Sequence, residues 1–137
     1  MRRNFDEVLQ QRIFVGNAED AQLAVSEGLV TKVYDVRVNG RQEEVPYRYV
    51  HSPIEEDNEL QTIKLGAEKI ASDYATGESI YIHCGSGTGR AAVMAAAALI
   101  ETGQAASIDE AIELVKSKRQ GAKFKSNMIE ALHALYK

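Results

Sequence analysis

The stretch YIHCGSGTGRAA, residues 81–92, constrains the fold of this chain more than any other segment. A short hydrophobic run ends at the chain's only cysteine, Cys84. Three glycines follow within five residues, at Gly85, Gly87 and Gly89, and then a stretch, RAAVMAAAALIETG, that is apolar almost all round. Each glycine adds chain entropy that folding must overcome, so such a loop is costly for packing alone. The pattern is a buried strand, a glycine loop and the N-terminus of a buried helix. That junction collects anions, because the helix dipole and uncapped amides converge there. Glycines let successive amides turn inward around an oxyanion.

Nucleotide-binding loops share this architecture, but none fits. A Walker A loop ends in Gly-Lys-Ser/Thr, whereas Gly89 is followed by Arg90 and Ala91. A dinucleotide fingerprint and a kinase glycine-rich loop both need G-x-G-x-x-G, and position 90 is not glycine. Cys84 and Arg90 point elsewhere. Amide dipoles, a helix N-terminus and a guanidinium around a cysteine favour its thiolate and make it a nucleophile. The planar guanidinium of Arg90 takes two phosphoryl oxygens at once. A thiolate beneath a cradled phosphate is a site for phosphoryl transfer to sulfur.

Composition closes other routes. The chain has 137 residues, 45% hydrophobic and 26% charged, with net charge −4. One domain over residues 1–137 is expected, with enough apolar material for a core. The negative balance argues against a nucleic-acid or membrane-surface partner. A single cysteine rules out an internal disulfide and a thiolate-cluster zinc site. His51, His83 and His133 have no metal-ligand spacing, so no metal or other cofactor is expected. MRRNFDEVLQQR lacks an apolar run behind its basic residues and does not read as a secretion signal. The longest apolar run, Ala91 to Ile100, is about half a bilayer span. A reduced, cytoplasmic monomer is the expectation.

Along the chain, RIFVG reads as a strand, and NAEDAQLAVSEGL as a turn and helix. TKVYDVRV reads as a strand, NGRQEE as a charged loop, and PYRYVHS as a strand with Pro46 at its edge. From Asn58 to Tyr74, Leu60, Ile63, Leu65, Ala67, Ile70 and Ala71 recur at helical spacing. SIYIHC is the next strand. Ser107 and Glu110 form a capping-box pattern at the start of SIDEAIELVKSK, and SNMIEALHALYK closes the chain as an amphipathic helix. The expected fold is α/β, a central, mostly parallel sheet of about four to five strands flanked by helices.

His83 to Arg90 matches H-C-x-x-G-x-x-R, the signature loop of cysteine-dependent protein tyrosine and dual-specificity phosphatases, and the chain resembles that superfamily. IFVGNAEDAQLAVSEGLVTKVYDVR is similar to the opening strand, helix and strand of the small dual-specificity enzymes. YVHSPIEEDNEL resembles their strand and acid loop, and AIELVKSKRQGAKFKSNMIEAL their last two helices.

The resemblance implies a phosphocysteine on Cys84, with Arg90 and the amides of Gly85, Ser86, Gly87, Thr88 and Gly89 holding the phosphoryl group. His83 takes the place of the histidine that supports the thiolate. A carboxylic acid must protonate the leaving oxygen. Of Glu55, Glu56 and Asp57, the residue type favours Asp57, while family spacing favours Glu56. The implied substrate is a phosphorylated protein or a small phosphomonoester, hydrolysed without metal. Superfamily members acting on inositol lipids carry lysines inside the loop, and this loop has none. Where the family has Ser or Thr after the arginine, this chain has Ala91, which puts turnover in question. The alternative implied by that residue is a module that binds a phosphorylated partner without turning it over. Asp35 and Arg37 are expected to form a local ion pair, Tyr47 and Tyr49 to pack on their strand, and Lys123 and Lys125 to form a solvated turn.

Overall fold

In the computed structural model, which describes residues 4–41 and 43–136, hydrophobic residues two apart line the two faces of the central strands, and the helices cover both. The elements are β1 (Phe5–Leu9), β2 (Ile13–Gly16), α1 (Ala21–Ser26), β3 (Lys32–Asp35) and β4 (Tyr49–His51). They continue with α2 (Glu59–Ala75), β5 (Ile80–His83), α3 (Arg90–Glu101), α4 (Ile108–Lys118) and α5 (Ser126–Leu135). The five strands form one sheet in the order β1-β2-β5-β3-β4. Only the β1–β2 pair is antiparallel; the β2–β5, β5–β3 and β3–β4 pairs are parallel.

Alternation along the strands divides the core in two. Ile13, Val15, Tyr34, Ile80 and Ile82 face one cluster together with the buried residues of α2, α3, α4 and α5. Phe14, Val33 and Tyr81 face the other, where Ala21 and Ala24 of α1 cover them. Helix α3 is buried without interruption from Ala91 to Leu99, as its uniformly apolar sequence requires. Its alanines let flanking helices approach closely, and so does Gly66 of α2, where a Cβ would stand 2.4 Å from Met94 Cε.

The structure departs from the sequence reading at several edges. Strand β1 was not expected, and it extends the sheet beyond β2. Strand β3 ends at Asp35 rather than running on through Val38: Val36 N still donates to the His83 carbonyl, at 2.9 Å, but Val38 is exposed. Strand β4 keeps only Tyr49–His51 of PYRYVHS. In α2, Ile63, Ala67 and Ile70 are buried as expected, but Leu60 and Leu65 face outward. Helix α4 begins as its capping pattern predicts, with Ser107 Oγ accepting from the Glu110 amide at 3.2 Å. Gln42 of the charged loop and Lys137 of the stretch read as the closing helix lie outside the described residues, as do residues 1–3 of the N-terminal segment.

Candidate active site

Strand β5 lies between β2 and β3, and its C-terminal end delivers His83 and Cys84 to the edge of the sheet where parallel α/β folds bind ligands. The chain then loops through residues 84–89 into α3. Gly89 caps α3 without any side-chain hydrogen bond, so its first amides keep their donors open.

What shapes the loop is the fate of its carbonyls. Cys84 O accepts from His83 Nδ1 at 3.0 Å. Gly85 O accepts from the Ala18 amide at 3.0 Å, and Thr88 O from the Lys123 amide at 2.7 Å. Ser86 O and Gly87 O accept from Arg119, through Nη2 at 2.8 Å and Nε at 3.2 Å. Five successive carbonyls are thus tied to donors other than the loop's own amides. The Thr88 amide turns to Ser86 Oγ at 3.3 Å. Among the described residues, no acceptor takes the amides of Gly85, Ser86, Gly87, Gly89 or Arg90. A peptide plane whose carbonyl is held on one side presents its N–H on the other, so the loop is a ready set of donors for an oxyanion.

Gly87 makes this turn possible. Its φ is +79°, and a Cβ there would stand 2.3 Å from the Gly16 carbonyl oxygen at the end of β2. Gly85 and Gly89 have no heavy atom within 4 Å of a Cβ position.

The loop floors an open cavity of about 660 Å³. Cys84, Gly85, Ser86, Thr88, Gly89 and Arg90 line it, and so do Glu56 and Asp57. The structure therefore brings together Cys84, Arg90, the loop and two of the three candidate acids. Glu55 is not among the lining residues. Asp57 is exposed and sits in the left-handed region, φ +69°. An aspartate tolerates that conformation better than most residues because its side chain bonds locally.

Beneath Cys84, His83 is fully buried. Burial holds its imidazole below the ordinary histidine range, against the pull of the Cys84 carbonyl and of Asp35, whose Oδ1 lies 3.8 Å from Nδ1. The ring is therefore neutral with its proton on Nδ1, since a carbonyl can only accept. Asp35 is also fully buried. Burial alone would raise its carboxyl, but bonds from Arg37 and Tyr49 outweigh that and hold it below the usual range. Arg37 grips it bidentately, Nε to Oδ1 at 3.0 Å and Nη2 to Oδ2 at 2.8 Å, and Tyr49 OH donates at 2.6 Å. The expected ion pair is present, and the same Arg37 also lines the cavity.

Lys123 and Lys125 are exposed, but they also line the cavity, so they are more than a solvated turn. The sequence reading missed Arg119. Its side chain is buried and binds Asp6 and Asn4 as well as the loop. The available signal was its spacing: Arg119 stands four residues after Val115 and eight after Ala111, on the buried stripe of α4, whereas Lys116 and Lys118 are exposed. His51 and His133 stand apart from the site; both are exposed, and His133 pairs with Asp109 at 3.1 Å.

Comparison with solved structures finds the same fold repeatedly. A mouse putative dual specificity phosphatase complexed with zinc tungstate is 23% identical, with TM-score 0.83 over 98% of this chain and 87% of that one. Human DUSP28 is 19% identical, with TM-score 0.81 over 98% and 94%. PTPMT1 in complex with PI(5)P is 20% identical, with TM-score 0.76 over 96% and 93%. No curated protein matches the chain. The family model for the dual specificity phosphatase catalytic domain matches residues 13–137, which contain the loop, the acids and every helix described above. The chain belongs to the dual specificity phosphatase catalytic-domain family.

Proposed function

We propose that this chain hydrolyses phosphomonoesters, with phosphorylated proteins as its substrates, through a covalent intermediate on Cys84. The observation that carries the reading is the set of loop carbonyls tied to outside donors, which leaves amides facing the space above Cys84 and beside Arg90. In the first step Cys84 Sγ attacks phosphorus, the S–P bond forms and the ester P–O bond breaks. Asp57 gives its proton to the departing oxygen. In the second step Asp57 takes a proton from water, the water oxygen attacks phosphorus, and the thiolate leaves. The loop amides and Arg90 hold the equatorial oxygens through both steps, where charge is greatest.

A p-nitrophenyl phosphate assay in the presence of a chelator tests this. The wild-type protein is expected to turn over. Cys84→Ser is expected to lose activity yet still bind vanadate, because the amides and Arg90 remain, whereas Arg90→Ala loses both. Substantial hydrolysis by Cys84→Ser would overturn the covalent mechanism.

A second reading rests on Ala91, which is fully buried at the start of α3. Without a hydroxyl to ease the departure of sulfur, the same loop serves to bind a phosphorylated partner. A wild-type protein that binds vanadate but never turns over would select this reading.

A further inference from the structure

The cavity above Cys84 exceeds what a phosphoryl group fills, and its wall carries more cations than the loop needs. Besides Arg90, the lining includes Arg37, Lys123 and Lys125. Arg37 is already committed to Asp35 through two nitrogens. The lysines are not committed. Among the described residues neither ammonium lies within 4.0 Å of a carboxylate.

Their backbone is nonetheless fixed relative to the phosphate site. The Lys123 amide bonds Thr88 O at 2.7 Å, and Arg119, four residues earlier, is buried against the same loop. Buried Met128 anchors the start of α5 just beyond. Two exposed ammonium heads thus extend from a segment hydrogen-bonded to the loop, beside the place where phosphate would sit.

A different stretch of the rim carries the opposite charge. Glu56, Asp57 and Glu59 line the cavity from the β4–α2 connection and the first turn of α2. No ion pair joins the acidic stretch to the lysines among the described residues. The mouth is therefore electrically polar, with charges that stay separate and open to a ligand.

We infer that this rim selects phosphorylated peptide segments with acidic residues on one side of the phosphorylated residue, seated against Lys123 and Lys125. The inference rests on the reading of the 84–90 loop as the phosphate site, but not on turnover. The acids at the other stretch disfavour a second acidic flank, so the preference is one-sided. A lipid headgroup with a second phosphate offers similar charge. The chain's net charge of −4 repels an anionic bilayer. Among the described residues, the large exposed apolar side chains, Val38, Leu60 and Leu65, do not line the cavity and offer no insertion point beside it. A peptide is the better fit.

The test is binding of fluorescent phosphotyrosine peptides to the Cys84→Ser protein, with Asp, Ala or Lys pairs placed before, after or on both sides of the phosphotyrosine. One acidic placement is expected to bind about three- to ten-fold tighter than its alanine counterpart, as two exposed charge contacts allow. The advantage should vanish in about 0.5 M salt, where the screening length falls to a few ångströms. It should also disappear or invert in the Lys123→Glu/Lys125→Glu variant of the same protein. Equal affinity for all peptides would overturn the inference. So would tighter binding to vesicles carrying a bisphosphorylated inositol lipid than to any acidic peptide. Failure to bind either peptides or vanadate would instead bring down the reading of the loop itself, and the inference with it.

Discussion

Arg119 places its Nη2 2.8 Å from the carbonyl oxygen of Ser86, a residue 33 positions earlier in the chain. The same guanidinium reaches Gly87 O and also Asp6 of β1 and Asn4 just before it. One buried side chain thus ties the start of the sheet to the loop and fixes which way two of its peptide planes face. Arg119→Met should therefore weaken vanadate binding and lower kcat/KM on p-nitrophenyl phosphate. It should also cost about 2–4 kcal/mol of stability, because the charge-assisted bonds vanish and buried acceptors lose their donors. Arg119→Lys keeps the charge but not the fork and should recover stability more than vanadate affinity. Urea melts and vanadate titration of both variants check this. A loss of stability with vanadate affinity unmoved would show that the loop holds its shape without Arg119.

The glycines of the loop should separate sharply. Gly87→Ala forces a Cβ into the Gly16 carbonyl at 2.3 Å and strains a φ of +79°, a left-handed cost of about 1–2 kcal/mol before the clash is counted. Vanadate binding should be lost. Gly85→Ala meets no atom within 4 Å and should cost under about 1 kcal/mol. Thermal melts and vanadate titration of the two variants, side by side, test the assignment of Gly87 as the residue that shapes the turn.

His83 predicts an acid-labile fold. Burial depresses its folded pKa, so the unfolded chain binds a proton that the folded chain refuses. Its contribution is fully present above the unfolded value of about 6.5 and is lost as pH falls from there toward the folded value. Asp35, also held below its ordinary value, adds a second loss only near and below 3.8. Stability from urea melts should thus fall as pH drops below about 6.5, with a slope of up to about 1.4 kcal/mol per unit. His83→Asn should be less stable at pH 7 and should flatten that slope. An unchanged slope in the variant would place the titrating group elsewhere.

For the acid, Glu56 and Asp57 both line the cavity, and asparagine tolerates the left-handed backbone at 57 nearly as well as aspartate. Asp57→Asn should therefore fold normally. Its kcat should drop about 10²–10⁴-fold on alkyl phosphates, whose leaving oxygen needs a proton, and far less on p-nitrophenyl phosphate. Glu56→Gln is the control. If Glu56→Gln shows the leaving-group dependence and Asp57→Asn does not, the spacing of the family pattern was the better guide.

What could be read from sequence was what local order determines. The run from β5 through the loop into α3 is contiguous, and its glycines, apolar strand and alanine-rich helix each carry their own signature. The contacts of Arg119, the Ala18 amide and the Lys123 amide with the loop became visible only in three dimensions, because each meets the loop through tertiary closure across many residues. Strand β1 escaped for a different reason. Its buried residues, Phe5 and Val8, point to opposite faces of the sheet, and the register shifts between Glu7 and Leu9. No alternation survives in the sequence. Leu60 and Leu65 misled in the other direction, matching a helical period while facing outward.

Ala91 bears on the second half of the reaction alone. Forming the phosphocysteine expels the substrate's oxygen, whereas hydrolysing it must expel the sulfur of Cys84. A hydroxyl on the residue after Arg90 would donate to that departing thiolate, and the methyl of Ala91 cannot. Ser86 and Thr88 hold their hydroxyls 2.7 Å apart, so one proton is spent between them, and the accepting hydroxyl, which keeps its own proton, is the rival donor to the leaving sulfur. Hydrolysis of the intermediate should therefore limit the rate. Mixing enzyme with p-nitrophenyl phosphate should give a burst of p-nitrophenol of about one equivalent per active site. Ala91→Ser should raise kcat by about ten-fold, the worth of one modest hydrogen bond to a charged group, and leave the burst rate nearly unchanged. Because Ala91 is fully buried, the new hydroxyl must find the thiolate or a helix carbonyl, and a stability measurement separates those cases. A linear time course with kcat unmoved by the substitution would mean that another donor already serves the leaving sulfur.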